Sequence, residues 1–233
     1  MIVAMREEFD PIRGELIPDS TVSCLDYSQV ASGLRDGIQY TVLQAGIGTT
    51  NAAIGTCDLL HRFQPDLIVN IGTTALIKDP SGQIAIGDVL VPEEHYQWDL
   101  DLGGPITPEW GAKRSLVDVL KVNVLRPAEW LLATAERHLP QRVRVVQFSG
   151  NSFFCDDAQH ELLPSSQRAV AVDMESFAVA QVCARKGVPF ISLRGVTDTG
   201  SETANEDFYD NVHLASRNAA AIAHRLLLEI ETQ

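Results

Sequence analysis

The sequence predicts an α/β fold, a sandwich of helices against a mixed or parallel sheet. Three observations carry this. Short apolar runs suited to strands alternate with segments of helical period. Two of the runs, Arg168 to Val172 and Pro189 to Val196, give way to a polar segment with a carboxylate, Asp173 and Asp198. The stretch Glu206 to Ile230 repeats Phe208, Val212, Ala215, Ala219, Ile222, Leu226 and Ile230, which is one face of a long amphipathic helix. Strands in alternation with helices make layered α/β sheets rather than bundles or β-sandwiches.

Met1 to Met5 reads as a short strand, and Arg6 to Leu16 as a helix interrupted at Pro11. Leu25 to Gly33 and Gly37 to Ala45 form a hairpin around Asp36-Gly37, a dipeptide suited to a tight β-turn. Thr49 or Thr50 is placed to cap a helix running to Phe63, with Ile54, Leu59, Leu60 and Phe63 near one face. Pro65 ends that helix, and Asp66 to Ile71 is a buried strand. Gly87 to Val91 begins another strand, and residues 97–114, rich in Gly, Pro and Trp, read as a long loop. Ala128 to His138 is helical and Arg142 to Phe148 a strand. The strand Arg168 to Val172 then feeds a helix from Glu175 to Lys186. Neither an internal repeat nor a linker divides the chain, so residues 1–233 are expected to form one domain.

The composition narrows the function. With 45% hydrophobic residues over 233 positions, the chain has enough apolar surface for a globular core. A net charge of −13 argues against nucleic-acid or anionic-membrane partners, but not against a small uncharged ligand. No apolar run reaches the roughly 18 residues of a membrane span. Cys24, Cys57, Cys155 and Cys183 are scattered, with no Cys-x-x-Cys pair, so a reduced, cytoplasmic chain is expected.

Several motifs sit where strands end. In an open α/β sheet, ligands bind outside the carboxyl ends of the strands. Asp173 and Glu175 in Val172-Asp173-Met174-Glu175-Ser176, and Asp198 in Arg194-Gly195-Val196-Thr197-Asp198, are delivered there. Each has a plain alternative: Glu175 complements a helix dipole, and Asp198 makes an Asx turn with Gly200. Glu7 and Glu8 fit an ordinary solvated first turn as well as a site. Gly46-Ile47-Gly48 and Asn70-Ile71-Gly72-Thr73 are turn-like and weak alone. Glu93, Glu94 and His95 are adjacent, and neighbours on a strand do not all face one metal ion. Cys155 with His160 matches no catalytic-cysteine signature.

Taken in order, Ala4-Met5-Arg6-Glu7-Glu8, Gly46-Ile47-Gly48, Asn70-Ile71-Gly72-Thr73, Ile86-Gly87-Asp88-Val89, Ser149-Gly150-Asn151-Ser152-Phe153, Val172-Asp173-Met174-Glu175 and Arg194-Gly195-Val196-Thr197-Asp198 resemble one family. It is the nucleoside phosphorylase/nucleosidase superfamily, within which the chain is most similar to the 5′-methylthioadenosine/S-adenosylhomocysteine nucleosidases. The resemblance implies a three-layer α/β/α sandwich around a mixed, partly closed central sheet, assembled as a homodimer. It implies cleavage of a purine–ribose N-glycosidic bond in a small-molecule nucleoside, with no metal or cofactor.

By the same resemblance, Asp198 is the acid that protonates the leaving purine at N7. Glu8 is the base that orients and deprotonates water, and Glu175 the carboxylate that holds the ribose hydroxyls. Met174 lies along the sugar. Phe153 stacks on the base, and the backbone of Phe154 reads the adenine edge. Thr73 replaces a Ser beside the base, and Asp173 replaces a Glu before Met174. Arg194 orients Glu175 or the sugar site, while Ile47 and Phe208 line the 5′ pocket. Phosphorylases of the superfamily carry an Arg where this chain has Asn70, which favours hydrolysis over phosphorolysis. Arg6 is the cation that could reverse this if it turned inward. The alternatives are a purine nucleoside phosphorylase, a futalosine-type hydrolase, and a non-catalytic binding or storage protein of the same fold. The three retained carboxylates argue against the last.

Overall fold

The computed structural model describes residues 1–99, 124–140, 142–163 and 166–232. The elements run β1 Ile2–Val3, α1 Arg6–Leu16, β2 Val22–Leu25, β3 Ser28–Arg35, β4 Ile38–Gln44, α2 Thr49–Phe63, β5 Ile68–Lys78, β6 Val89–Leu90, β7 Glu94–Gln97, α3 Glu129–Glu136, β8 Val145–Ser149, α4 Asp157–His160, β9 Ala169–Asp173, α5 Ser176–Lys186, β10 Phe190–Asp198 and α6 Ala204–Glu231. Beyond Asp99, the expected long loop lies outside the described residues.

Among the described residues ten strands join one mixed sheet in the order β2-β3-β4-β1-β5-β9-β8-β7, with β10 on β5 and β6 on β10. β5 is its spine. It runs parallel to β1 and β10 and antiparallel to β9. Helices cover both faces. On one, Phe9, Ile12 and Leu16 of α1 and Ala219, Ala223 and Leu226 of α6 pack with Val69, Ile71, Ile191 and Leu193. On the other, Ala52 and Leu59 of α2 and Phe177, Val179 and Cys183 of α5 pack with Ile68 and Phe190. Alternate residues of β5 therefore feed opposite cores, which is why it reads as an unbroken apolar run. α6 crosses β10 so closely that a Cβ on Gly195 would lie 2.4 Å from the Ala215 carbonyl oxygen. Only a residue without a side chain permits that approach.

Five expectations need correction. The sheet is open rather than partly closed: β6 is two residues long and pairs only with β10 among the described residues, while β7 pairs with β8 and otherwise makes one isolated bridge to Leu125. α1 is not interrupted at Pro11. Losing one backbone donor and gaining a ring costs an interior turn locally, but Phe9, Ile12 and Leu16 anchor both sides of it. β5 continues to Lys78, past the expected end at Ile71, because Thr73-Thr74 remain sandwiched and buried. α2 is capped not by its own threonines but by Asn151, whose Oδ1 accepts from the Thr49 N–H at 3.0 Å. Its inward face is Ala52, Gly55, Thr56 and Leu59, leaving Ile54 57% exposed. Small residues face the sheet because α2 lies close; a Cβ on Gly55 would meet that of Ala45 at 2.6 Å.

The hairpin turns where expected. Asp36 and Gly37 take φ of 50° and 82°, both left-handed, matching a two-residue turn between Arg35 and Ile38. No helix among the described residues is long and apolar enough to cross a membrane.

Candidate active site

The ends of β1, β9 and β10 converge on the middle of β5, which is long enough to reach all three partners. Ile2 pairs with Asn70, Val172 with Ala75, and Asp198 also with Ala75. Beside this junction is a cavity of about 330 Å³. Its lining includes Glu8, Ile47, Thr73, Phe153, Phe154, Asp173, Met174, Glu175, Asp198 and Phe208. These are all the expected site residues but Arg194, which is buried close by and ion-paired to Asp173 and Glu175.

Glu8 is 3% exposed, so it is not a solvated first-turn residue. Its Oε2 accepts from the Ala4 N–H at 3.1 Å, and its Oε1 accepts from the Thr73 N–H and the Thr73 hydroxyl, both at 2.8 Å. Three donors hold the carboxylate in one orientation. Gly72 makes room for it: a Cβ there would lie 2.6 Å from Glu8 Oε1 and 2.8 Å from Arg194 Nη1.

Asp173, Glu175 and Arg194 form a buried cluster. Arg194 Nη2 lies 2.6 Å from Asp173 Oδ2 and 3.0 Å from Glu175 Oε2. Asp173 also accepts from the Ser149 hydroxyl at 2.6 Å, from the Ser176 hydroxyl, and from the backbone N–H groups of Glu175 and Ser176, both at 3.2 Å. Its carboxylate is spent on protein donors, so it organises the helix start rather than offering a free oxygen. Glu175 Oε1 accepts from the Gly48 N–H at 2.9 Å. Burial pushes Glu175 up to about 7, against the pull of Arg194 and with added repulsion from Asp173 and Glu8. The same carboxylates push Arg194 upward despite its own burial, so it stays a cation. Burial, with Asp173 and Glu8 adding their repulsion, outweighs the pairing with Arg194, which is why Glu175 can be raised while paired.

Asp198 is 1% exposed. Its Oδ2 accepts from the Thr197 hydroxyl at 2.8 Å and its Oδ1 from the Gly200 N–H at 2.9 Å. The second bond is the Asx turn expected as the plain alternative, and it coexists with a place in the cavity wall. Burial raises the Asp198 pKa, offset by these two bonds and assisted by Asp207. A carboxyl raised this way keeps its proton to higher pH and suits a general acid.

The remaining wall is aromatic and apolar. Phe153, 38% exposed, meets Phe208 edge-to-face with centroids 6.1 Å apart. Phe154 is 2% exposed and held edge-on by Trp98 at 5.1 Å. Ser152, Thr197, Asn205 and Tyr209 also line the cavity and were not anticipated. Asn205, Phe208 and Tyr209 stand at helical i, i+3, i+4 spacing, a signal that could have found the other two from Phe208. Gly48, Ser149 and Ser176 fall within motifs the sequence singled out, but nothing local showed that they serve Glu175 and Asp173.

Other candidates fall outside the cavity lining. Arg6 is exposed and pairs with Asp10 at 3.1 Å. Asn70 points into the α5 side of the sheet, donating to the Ser176 hydroxyl at 2.6 Å and to the Ser192 hydroxyl at 3.3 Å. Glu93 and Glu94 meet at Arg168 and pair also with Arg144 and Arg126 respectively, while buried His95 turns away to the Ser192 hydroxyl at 3.0 Å. Among the described residues, no group of three or more His, Cys, Asp or Glu is placed to hold a metal ion.

Comparison with known proteins gives a consistent picture. Residues 1–228 match the phosphorylase superfamily. The chain is 30% identical to a 5′-methylthioadenosine/S-adenosylhomocysteine nucleosidase of Exiguobacterium sp., covering 99% of this chain and 97% of that one. Its fold superposes on the nucleosidase of that name from Neisseria meningitidis in complex with methylthio-immucillin-A, with a TM-score of 0.83 at 23% identity, covering 98% of this chain and 97% of that one. It also superposes on the futalosine hydrolase of Helicobacter pylori, with a TM-score of 0.84 at 25% identity, covering 98% and 96%.

Proposed function

The chain belongs to the phosphorylase superfamily, and from that premise we propose that it is a hydrolase cleaving the N-glycosidic bond of a 5′-modified adenosine, of the methylthioadenosine/S-adenosylhomocysteine type. Glu8 takes a proton from water as the water oxygen bonds to C1′. The C1′–N9 bond breaks and its electron pair passes to the purine. Asp198 protonates the purine at N7, so the base leaves neutral. The transition state carries positive charge on the sugar, and Glu175, beside the ribose hydroxyls, stabilises it electrostatically. Asp173 and Arg194 hold Glu175 in place, Thr73 fixes Glu8, and Met174 lies along the sugar. Phe153 stacks on the base, the Phe154 backbone reads its edge, and Ile47 and Phe208 receive the 5′ group.

Glu8 carries the choice of water over phosphate. It is a buried carboxylate on the cavity wall, close enough to Glu175 to raise that residue's pKa. A carboxylate there attracts a water proton and repels an anionic nucleophile. Asn70 carries less of the argument than its position suggested, since its side chain is engaged beneath the cavity. Arg6, turned outward to Asp10, is not disposed to bind phosphate.

The test is adenine release from methylthioadenosine with and without phosphate. Equal release of adenine and free sugar in both buffers supports hydrolysis; release that depends on phosphate overturns it. Hydrolysis of futalosine is a second reading, favoured by the likeness to the futalosine hydrolase. A panel of methylthioadenosine, S-adenosylhomocysteine and futalosine separates the two by kcat/KM.

The enzyme works as one domain, as a homodimer in the cytoplasm. Exposed Ile47 and Ile54 at the pocket end of α2 support association through an apolar face. Four free cysteines support a reducing compartment. Sedimentation of the purified protein tests the dimer.

A further inference from the structure

Asn151 does not line the cavity, yet it joins two segments beside it. Its Oδ1 accepts from the N–H and the hydroxyl of Thr49, both at 3.0 Å. Its Nδ2 donates to Asp99 Oδ2 at 3.0 Å, and its backbone N–H donates to the same oxygen at 2.8 Å. The other Asp99 oxygen accepts from Gln97 Nε2 at 2.9 Å. An ionised carboxylate only accepts, so Asp99 decides which end of the Asn151 amide faces Thr49. It must be the oxygen.

Thr49 is the first residue of α2, and the preceding Gly48 is its N-cap, at φ 95° and ψ 161°. That backbone is open to glycine and strained for other residues. It aims the Gly48 N–H at Glu175 Oε1, 2.9 Å away. A Cβ on Gly48 would lie 3.0 Å from Asn151 Oδ1, so the amide rests directly against this peptide. Asn151 satisfies an N-terminal donor of α2 that would otherwise have no helical partner.

We propose that Asn151, oriented by Asp99, is a positioning residue for Glu175. It holds the Gly48–Thr49 backbone so that the Gly48 N–H fixes one oxygen of the ribose-binding carboxylate, leaving Arg194 to fix the other. This rests on the reading of Glu175 as the group that holds the ribose hydroxyls. It places a determinant of sugar recognition on a pair, Asn151 and Asp99, that touches no substrate.

The test compares wild type with N151A, D99A and the double variant in phosphate-free buffer. The substrate is whichever of methylthioadenosine, S-adenosylhomocysteine and futalosine the wild type hydrolyses best. Dissociation constants for adenine, which has no sugar, and for 2′,3′-dideoxyadenosine, which lacks the hydroxyls, are measured alongside. Each single variant is expected to lower kcat/KM by about three- to tenfold, the scale of one partly exposed hydrogen bond. The double variant falls within about twofold of N151A, because both act through one contact. Binding of the two ligands without ribose hydroxyls stays at the wild-type value. Unchanged kcat/KM in N151A overturns the proposal, as does weakening of adenine and 2′,3′-dideoxyadenosine binding by the same factor as the fall in kcat/KM, which would mark general loosening. A wild type inactive on all three nucleosides overturns the nucleosidase reading, and this proposal with it. An active wild type with unaffected variants overturns the positioning role alone.

Discussion

Glu8→Gln tests the site most sharply, because the structure dictates how the amide must sit. The carboxylate accepts three hydrogen bonds: two at Oε1 from Thr73 and one at Oε2 from the Ala4 N–H. An amide has one acceptor oxygen and one donor nitrogen. Its oxygen takes the Thr73 side, where two donors wait, and its NH2 then faces the Ala4 N–H. One buried backbone donor loses its partner, costing about 1–3 kcal/mol of stability. The side chain keeps its shape and place, so adenine binding should persist. What disappears is the basic oxygen that accepts a proton from water. A positioned general base contributes about 10²–10⁴-fold, so kcat should fall by at least about 100-fold. The assay is adenine release under saturating substrate, with thermal unfolding run in parallel to show that the variant is folded. A folded variant whose kcat stays within about tenfold of wild type would refute the assignment of Glu8 as the base.

Three further outcomes follow from the geometry. Asp198→Asn keeps the volume of the acid but removes its transferable proton; kcat should drop by about 10²–10⁴-fold, and single-turnover kinetics should show slow chemistry rather than slow release. Gly72→Ala places a methyl 2.6 Å from Glu8 Oε1 and 2.8 Å from Arg194 Nη1. Overpacking of that kind costs about 1–3 kcal/mol, read by denaturant titration, and should depress kcat/KM more than tenfold or so by moving both groups. Glu175 makes a pH prediction. Its pKa rises from 4.5 to about 7 on folding, chiefly through burial. A carboxyl that holds its proton more tightly when folded gives stability that is full below about pH 4.5 and lost as pH rises through about 7. Glu175→Gln removes that titration, so the stability difference between wild type and variant should shift against wild type across this window. Wild-type kcat/KM should run the opposite way, rising through about pH 7 as the ionised clamp forms. A stability difference that is flat from pH 4.5 to 7 would count against the burial argument.

Much of the fold was legible because its signals are local. The periodicity of Phe208, Val212, Ala215, Ala219, Ile222 and Leu226 marks one face of α6, and that face is buried. Asp36-Gly37 places the β3–β4 turn because few other dipeptides tolerate two left-handed residues. Errors arose where tertiary contacts override a local rule. Pro11 sits in a continuous helix because apolar residues on both sides of it reach the core. Ile54 faces outward because α2 approaches the sheet too closely for large side chains. The sheet stays open because β6 is too short to bridge β10 to β7 among the described residues.

For the site, residue types and strand-end positions already pointed to Asp173, Glu175 and Asp198 as carboxylates with work to do, while Glu8, inside α1, stood out only through the family resemblance. Strands alternating with helices determined the fold class, and the resemblance carried by the ordered motifs implied the kind of chemistry. Which oxygen each carboxylate can offer was decided only by the tertiary structure. Glu8 is oriented by Thr73, 65 positions away, and Glu175 by Gly48, 127 positions away. Asp173 proves to be an internal organiser because Ser149, Ser176 and Arg194 all reach it. A sequence shows which groups can ionise. Burial and hydrogen bonds between distant segments decide which of them keep a proton, which lose one and which face the ligand.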